Sequence, residues 1–253
     1  MALRDLLREI DELARINKIS KPFIVGGVSR DRVIGKKTET INDIDLTTGN
    51  GDAVKLASLL ANKFPESKLR SYDDGHVALN ISGIRIDFSS NFNVPGIQEI
   101  LIKMGVKDIT SMKMELYSRD FTMNTLLEDL SLENTYDLTK NGISDINARI
   151  VRCPIDPNIT IGVDPRRILR AIKYALKFDF AIENRLKETM LERRKSIATL
   201  PKRFVQDRMN EIVRIDNEKG LEMLIEFKLL PVVPLTKVIY DMLIQKRQLA
   251  RAM

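Results

Sequence analysis

The run Phe23-Ile24-Val25-Gly26-Gly27, followed by Arg30-Asp31 and then by Asn42-Asp43-Ile44-Asp45-Leu46-Thr47, constrains this chain more than any other stretch. Phe23-Ile24-Val25 predicts a short buried strand, stopped by two glycines whose missing side chains let backbone approach a phosphate. Ser29 to Ile34 predicts one or two helical turns, with Arg30 placed to meet a triphosphate. Residues 42–47 alternate polar and apolar, the period of a half-buried strand. On such a strand Asp43 and Asp45 point to one face, close enough to share a divalent metal. Hard carboxylate oxygens suit magnesium, which bridges protein carboxylates and nucleotide phosphates. Alone, Gly-Gly reads as a turn and Asp-x-Asp as a surface or capping pair. The combined order is much rarer and points to nucleotide transfer.

A chain of 253 residues, 43% hydrophobic and 30% charged, has material for one large domain or two smaller ones. No apolar run is long enough to span a bilayer, and Met1-Ala2-Leu3-Arg4-Asp5 lacks a signal-peptide pattern, so no membrane partner is expected. The single Cys153 excludes an intrachain disulfide framework and fits a reducing, cytoplasmic compartment. Residues 1–150 hold 20 Lys/Arg against 22 Asp/Glu, and residues 151–253 hold 21 against 13. That split fits an acidic half with metal-site carboxylates and a basic half that contacts a polyanion. Solvated helix faces give a similar excess. With no Trp, a dedicated aromatic platform for base stacking is not expected.

Leu3, Leu6, Leu7, Ile10, Leu13 and Ile16 predict an amphipathic N-terminal helix. Asp52 to Phe64 predicts another, and Val77–Ile81 with Ile84–Phe88 predict a hairpin turned at Ser82-Gly83. Residues 94–110 give no clear pattern. Phe121 to Leu127 reads as the start of a helix, and Thr135–Leu138 and Ile150–Arg152 as short strands around a small helix. From Pro165 onward the pattern is helical throughout. The fold class expected is therefore α+β: a head over residues 1–150, a small mixed sheet with helices, then an all-α segment over residues 151–253.

Two further clusters carry chemistry. Arg119-Asp120-Phe121-Thr122-Met123-Asn124 offers guanidinium, carboxylate, hydroxyl and amide groups able to hold ribose hydroxyls and phosphate oxygens. It reads equally as a helix start capped by Asp120 or Thr122. Asp164, Arg167, Arg170 and Lys173 recur at near-helical spacing as a polar ridge. There Asp164 and Arg167 either hydrogen-bond base edges or form an intrahelical salt bridge.

Taken in order, these motifs resemble the class II tRNA nucleotidyltransferase and bacterial poly(A) polymerase family, of the polymerase-β nucleotidyltransferase superfamily. Tyr136-Asp137-Leu138…Gly142…Asp145…Arg149-Ile150-Val151-Arg152 is similar to that family's link between head and neck. The resemblance runs from about Phe23 to about Leu230. It implies a polymerase-β-like head followed by a helical neck and partial body. It implies that Asp43 and Asp45 bind Mg²⁺, and that Gly26, Gly27 and Arg30 meet the incoming triphosphate. Arg119, Asp120 and Asn124 would contact phosphate and sugar, and Asp164 and Arg167 would select the base. Arg170 and Lys173 match further nucleotide-binding positions. Asp87, where the family often has a strand carboxylate, would be a third acidic ligand or a base. The activity implied is template-independent addition of CMP and/or AMP, from CTP or ATP, to an RNA 3′ end, with CCA addition to tRNA as the leading case. A poly(A) polymerase, a C-only or A-only enzyme, or an inactive RNA-binding subunit are the alternatives. Relatives continue into body and tail domains, so the resemblance leaves two readings: a shortened form whose RNA grip comes from a partner chain or a homo-oligomer, or a longer protein cut short.

Overall fold

The computed structural model describes residues 2–36, 41–73, 75–232 and 234–252, with side chains to residue 245. It divides into two compact units, Met1–Ala148 and Arg149–Met253.

The first unit runs α1 (Leu3–Ile16), β1 (Phe23–Val25), α2 (Gly27–Val33), β2 (Asp43–Thr47) and α3 (Asp52–Lys63). It continues with β3 (Arg70–Ser71), β4 (Val77–Ile81), β5 (Ile84–Phe88), α4 (Ile97–Lys103), α5 (Ser111–Tyr117), β6 (Leu127–Glu128), β7 (Thr135–Tyr136) and α6 (Gly142–Asn147). The seven strands form one sheet in the order β3-β4-β5-β2-β1-β6-β7. Only β2 and β5 pair in parallel; the other neighbours are antiparallel.

Strand alternation decides what each face carries. Ile24, Ile44, Leu46, Leu79, Ile86 and Phe88 are buried together with Leu6, Leu7 and Ile10 of α1 and Leu56 and Leu60 of α3. This is the main core, and it explains the apolar spacing of the first helix. The intervening residues Asp43 and Asp45 are exposed on the opposite face. The parallel register sets Asp43 beside Arg85 and Asp45 beside Asp87 on that face. A smaller cluster of Val25, Leu116 and Leu127 seats α5 against the same side of the sheet. Thr110 caps α5, its hydroxyl accepting the Lys113 amide at 3.2 Å.

The predicted helix start at Phe121–Leu127 is corrected. Thr122–Asn124 forms a single 3₁₀ turn, and the chain then enters β6, where Leu127 pairs with Val25 and Glu128 with Ile24.

The second unit pairs β8 (Ile150–Val151) in parallel with β9 (Ala181–Ile182). Its helices are α7 (Pro157–Val163), α8 (Arg166–Phe178), α9 (Asn184–Arg193), α10 (Lys202–Ile215), α11 (Asn217–Glu226) and α12 (Lys237–Ala252). Helix formation thus begins before Pro165, in α7, whose first turn takes Pro157 and is capped by the Asp156 carboxylate. Ile168, Leu169, Ile172 and Ala175 form the buried stripe of α8, which packs on α10 and α11. Among the described residues, no helix is long and apolar enough to cross a membrane.

Candidate active site

The turn after β1 is the centre of the site. Gly26 sits at φ +80°, ψ −115°, a conformation open to glycine and strained for any other residue. A Cβ built there would lie 3.4 Å from Arg119 Nη1 and 3.5 Å from Asp45 Oδ2. The guanidinium and the carboxylate therefore converge over backbone that carries no side chain. Gly27 opens α2, and a Cβ on it would lie 3.7 Å from Arg30 Nη2.

Arg30 is buried within α2. Its Nη1 donates to Asn124 Oδ1 at 2.8 Å, while Nε donates to Asp31 Oδ1 at 2.8 Å. Asn124 Nδ2 in turn donates to Asp120 Oδ1 at 2.9 Å, and the same oxygen accepts the Phe121 amide at 2.8 Å. The hydroxyl of Thr122 donates to Asp145 Oδ2 at 2.7 Å, fastening the 3₁₀ turn to α6. Arg30, Asp120 and Asn124 are thus one hydrogen-bonded set. Preorganised polar groups of this kind need no rearrangement when a charged ligand arrives.

Asp43 and Asp45 share the open face of β2, as strand periodicity predicts. They offer hard oxygen donors in a solvent-accessible position, a fit for a divalent cation. Asp87 stands next to Asp45 in register, yet its carboxylate is taken by Arg85, whose Nε and Nη2 donate at 2.7 and 2.9 Å. That hydrogen bond and charge push the Arg85 pKa above its ordinary value. Arg85 Nε also lies 3.9 Å from Asp43 Oδ1. Among the described residues no three acidic, His or Cys side chains group closely enough to hold a metal. As placed, Asp87 is an ion-pair partner of Arg85.

Glu115 was not singled out by the sequence. It is 3% exposed and accepts from Thr47 Oγ1 at 2.5 Å, Ser89 Oγ at 2.9 Å and Arg119 Nη2 at 3.1 Å. Its place four residues before Arg119 was the one available signal. Glu128, behind the turn, is fully buried. Burial pushes its pKa up, opposed by the Thr135 hydroxyl at 3.0 Å and by Arg32 at 3.4 Å.

In the second unit the predicted ridge is not continuous. Asp164 lies in extended backbone between α7 and α8, where its Oδ1 accepts the Arg166 amide at 3.0 Å and Arg166 Nε at 2.8 Å. Arg167 is buried, its Nε 3.9 Å from Asp164 Oδ2. Arg170 donates to the Tyr174 hydroxyl at 3.3 Å. Lys173 pairs with Glu211 of α10 at 2.5 Å. Burial alone would raise the Glu211 pKa, but the Lys173 hydrogen bond and the charges of Lys173, Arg208 and Lys177 hold it below its ordinary value. Asp164 and Arg167 remain close; Arg170 and Lys173 face separate partners.

A head of this topology, with paired aspartates beside a glycine turn, defines a class. The profile of the poly A polymerase head domain matches residues 22–152, just over half of the chain, and the chain belongs to that family. It is 28% identical over 225 residues to an A-adding tRNA nucleotidyltransferase of Geobacter sulfurreducens, covering 86% of this chain and 23% of that protein. It is 28% identical over 163 residues to a CCA-adding enzyme of Pediococcus pentosaceus, covering 64% of this chain and 38% of that one. The solved complex of a CCA-adding enzyme with ATP superposes with a TM-score of 0.69 at 24% identity, over 90% of this chain and 52% of the other. The fold is shared. The chain spans about a quarter to two fifths of the curated relatives, and about half of the solved chain.

Proposed function

We propose that this chain is the catalytic head and neck of a template-independent RNA nucleotidyltransferase, which adds CMP and/or AMP from CTP or ATP to RNA 3′ ends, tRNA foremost. The observation that carries this reading is the convergence of Asp45 and Arg119 on the bare Gly26 backbone, within a poly(A) polymerase head fold.

In the reaction the RNA 3′-hydroxyl loses its proton to solvent, its oxygen forms a bond to the α-phosphorus, the bond from that phosphorus to the α,β-bridging oxygen breaks, and pyrophosphate leaves. Asp43 and Asp45 would hold divalent metal, Mg²⁺ in this reading, which supplies charge to acidify the 3′-hydroxyl and to neutralise the departing pyrophosphate. Arg30 and Arg119 would neutralise phosphate oxygens, and Asp120 and Asn124 would fix the sugar. Asp164 and Arg167 would read the base, since a carboxylate accepts from the exocyclic amine that C and A share. The buried position of Arg167 supports a fixed rather than a mobile guanidinium. The excess of Lys and Arg in residues 151–253 supports an RNA contact there, and a cytoplasmic location is part of this reading. Relatives of both A-adding and CCA-adding name keep partial addition beside complete CCA addition.

The test is incubation of the purified chain with Mg²⁺, total RNA and each labelled NTP separately. Label from CTP, ATP or both, on RNA of tRNA size, is expected. RNA bound without label from any NTP would instead favour a non-catalytic RNA-binding subunit.

A further inference from the structure

We propose that Glu115 is a positioning residue for nucleotide binding, holding the Arg119 guanidinium at the glycine turn. The proposal rests on the reading above that Arg119 meets the nucleotide.

A buried carboxylate is costly unless its oxygens are hydrogen-bonded. Those of Glu115 have three donors, and the origin of the donors is the argument. Thr47 ends β2, the strand of Asp43 and Asp45. Ser89 directly follows β5, the strand of Asp87. Arg119 opens the segment that carries Asp120 and Asn124. One side chain thus fastens three of the segments that bear the head's candidate residues.

The direction of Arg119 follows from that anchor. With Nη2 on Glu115 at 3.1 Å, the planar fork presents Nη1 toward the Gly26 turn, which Asp45 Oδ2 also approaches. A guanidinium held at one end by a charge-assisted bond keeps its orientation without reorganisation. Glu115 touches none of the reacting atoms and acts through Arg119.

The experiment measures ATP affinity in the presence of Mg²⁺ by calorimetry, together with thermal midpoints, for wild type, Glu115→Gln, Arg119→Ala and the double variant. Glu115→Gln keeps the side-chain shape and removes the charge. It is expected to weaken ATP roughly tenfold, the scale of a lost charge-assisted bond, and Arg119→Ala at least as much. The double variant is expected to bind no more weakly than Arg119→Ala alone, because both changes remove the same contact. A Glu115→Gln loss that persists in full in the Arg119→Ala background would overturn the proposal, leaving Glu115 a structural group. Wild-type affinity in Glu115→Gln beside a clear loss in Arg119→Ala would also overturn it, with the reading of Arg119 intact. Unchanged affinity in Arg119→Ala would sink that reading itself. Ser89→Ala removes a single donor and serves if Glu115→Gln does not fold. Its expected loss of about two- to fivefold should vanish in the Arg119→Ala background, and persistence would count against the proposal.

Discussion

Replacing Gly26 by Ala separates backbone strain from crowding of the site. At φ +80°, ψ −115° a Cβ is strained whatever the space around it, at about 1–3 kcal/mol for such a conformation. The new methyl would also stand 3.4 Å from Arg119 Nη1 and 3.5 Å from Asp45 Oδ2. Those are tolerable contacts for packing, but the methyl fills the space in which the two groups converge. Gly35→Ala is the control: φ there is also positive, at +86°, and a Cβ meets nothing within 4 Å. Both variants should lose about 1–3 kcal/mol in urea unfolding. Gly35→Ala should keep single-nucleotide incorporation within about twofold of wild type, whereas Gly26→Ala should lose roughly 10²-fold in kcat/KM, the scale of a displacement of about 1 Å at a reacting centre. Equal activity of the two variants, at a temperature where both are folded, would refute the assignment of the Gly26 turn to the site.

Glu128 gives a pH prediction. Its folded pKa is raised above the ordinary 4.5, so the stability contributed by its protonated form is full below that value and is lost as pH rises through the folded one. Glu128→Gln should match wild type near pH 4 and exceed it in urea midpoint at pH 7.5; a less stable variant at pH 7.5 would mean that the Arg32 contact outweighs burial. Asp164→Ala should admit UTP and GTP more readily relative to CTP and ATP, by about 1–3 kcal/mol for a lost contact pair; separately, its folding stability should fall by roughly 1 kcal/mol with the lost Arg166 amide hydrogen bond. Competition kinetics with all four NTPs decide it, and unchanged ratios would make this helix start structural.

What the sequence made legible was local. Alternation in residues 42–47 and the apolar run before Gly26-Gly27 placed β2 and β1 and set both aspartates on one face, because strand period alone determines that. The helix stripe of Ile168, Leu169, Ile172 and Ala175 was legible for the same reason. What escaped depends on partners distant in sequence. Leu127 becomes strand only because it pairs with Val25, about a hundred residues earlier. Glu115, in Met114-Glu115-Leu116, reads as a solvent-facing charge until Thr47 and Ser89 are brought to it by the sheet. The α8 ridge is cut short at one end, where Pro165 holds Asp164 off the helix; at the other, Lys173 pairs with Glu211, on a helix that local spacing cannot see. The Arg85–Asp87 pair was within reach, since residues two apart on a strand share a face.

In the proposed function, Asp43 and Asp45 hold the metal used in nucleotide transfer. That role is tested most directly by incorporation of labelled CTP and ATP into RNA, with Mg²⁺, by Asp43→Ala and Asp45→Ala, each first verified as folded. Both side chains lie on the exposed face of β2, outside the core, so stability should change little. Incorporation is expected to fall by roughly 10³-fold or more in each variant; incorporation at the wild-type rate in both would contradict the account.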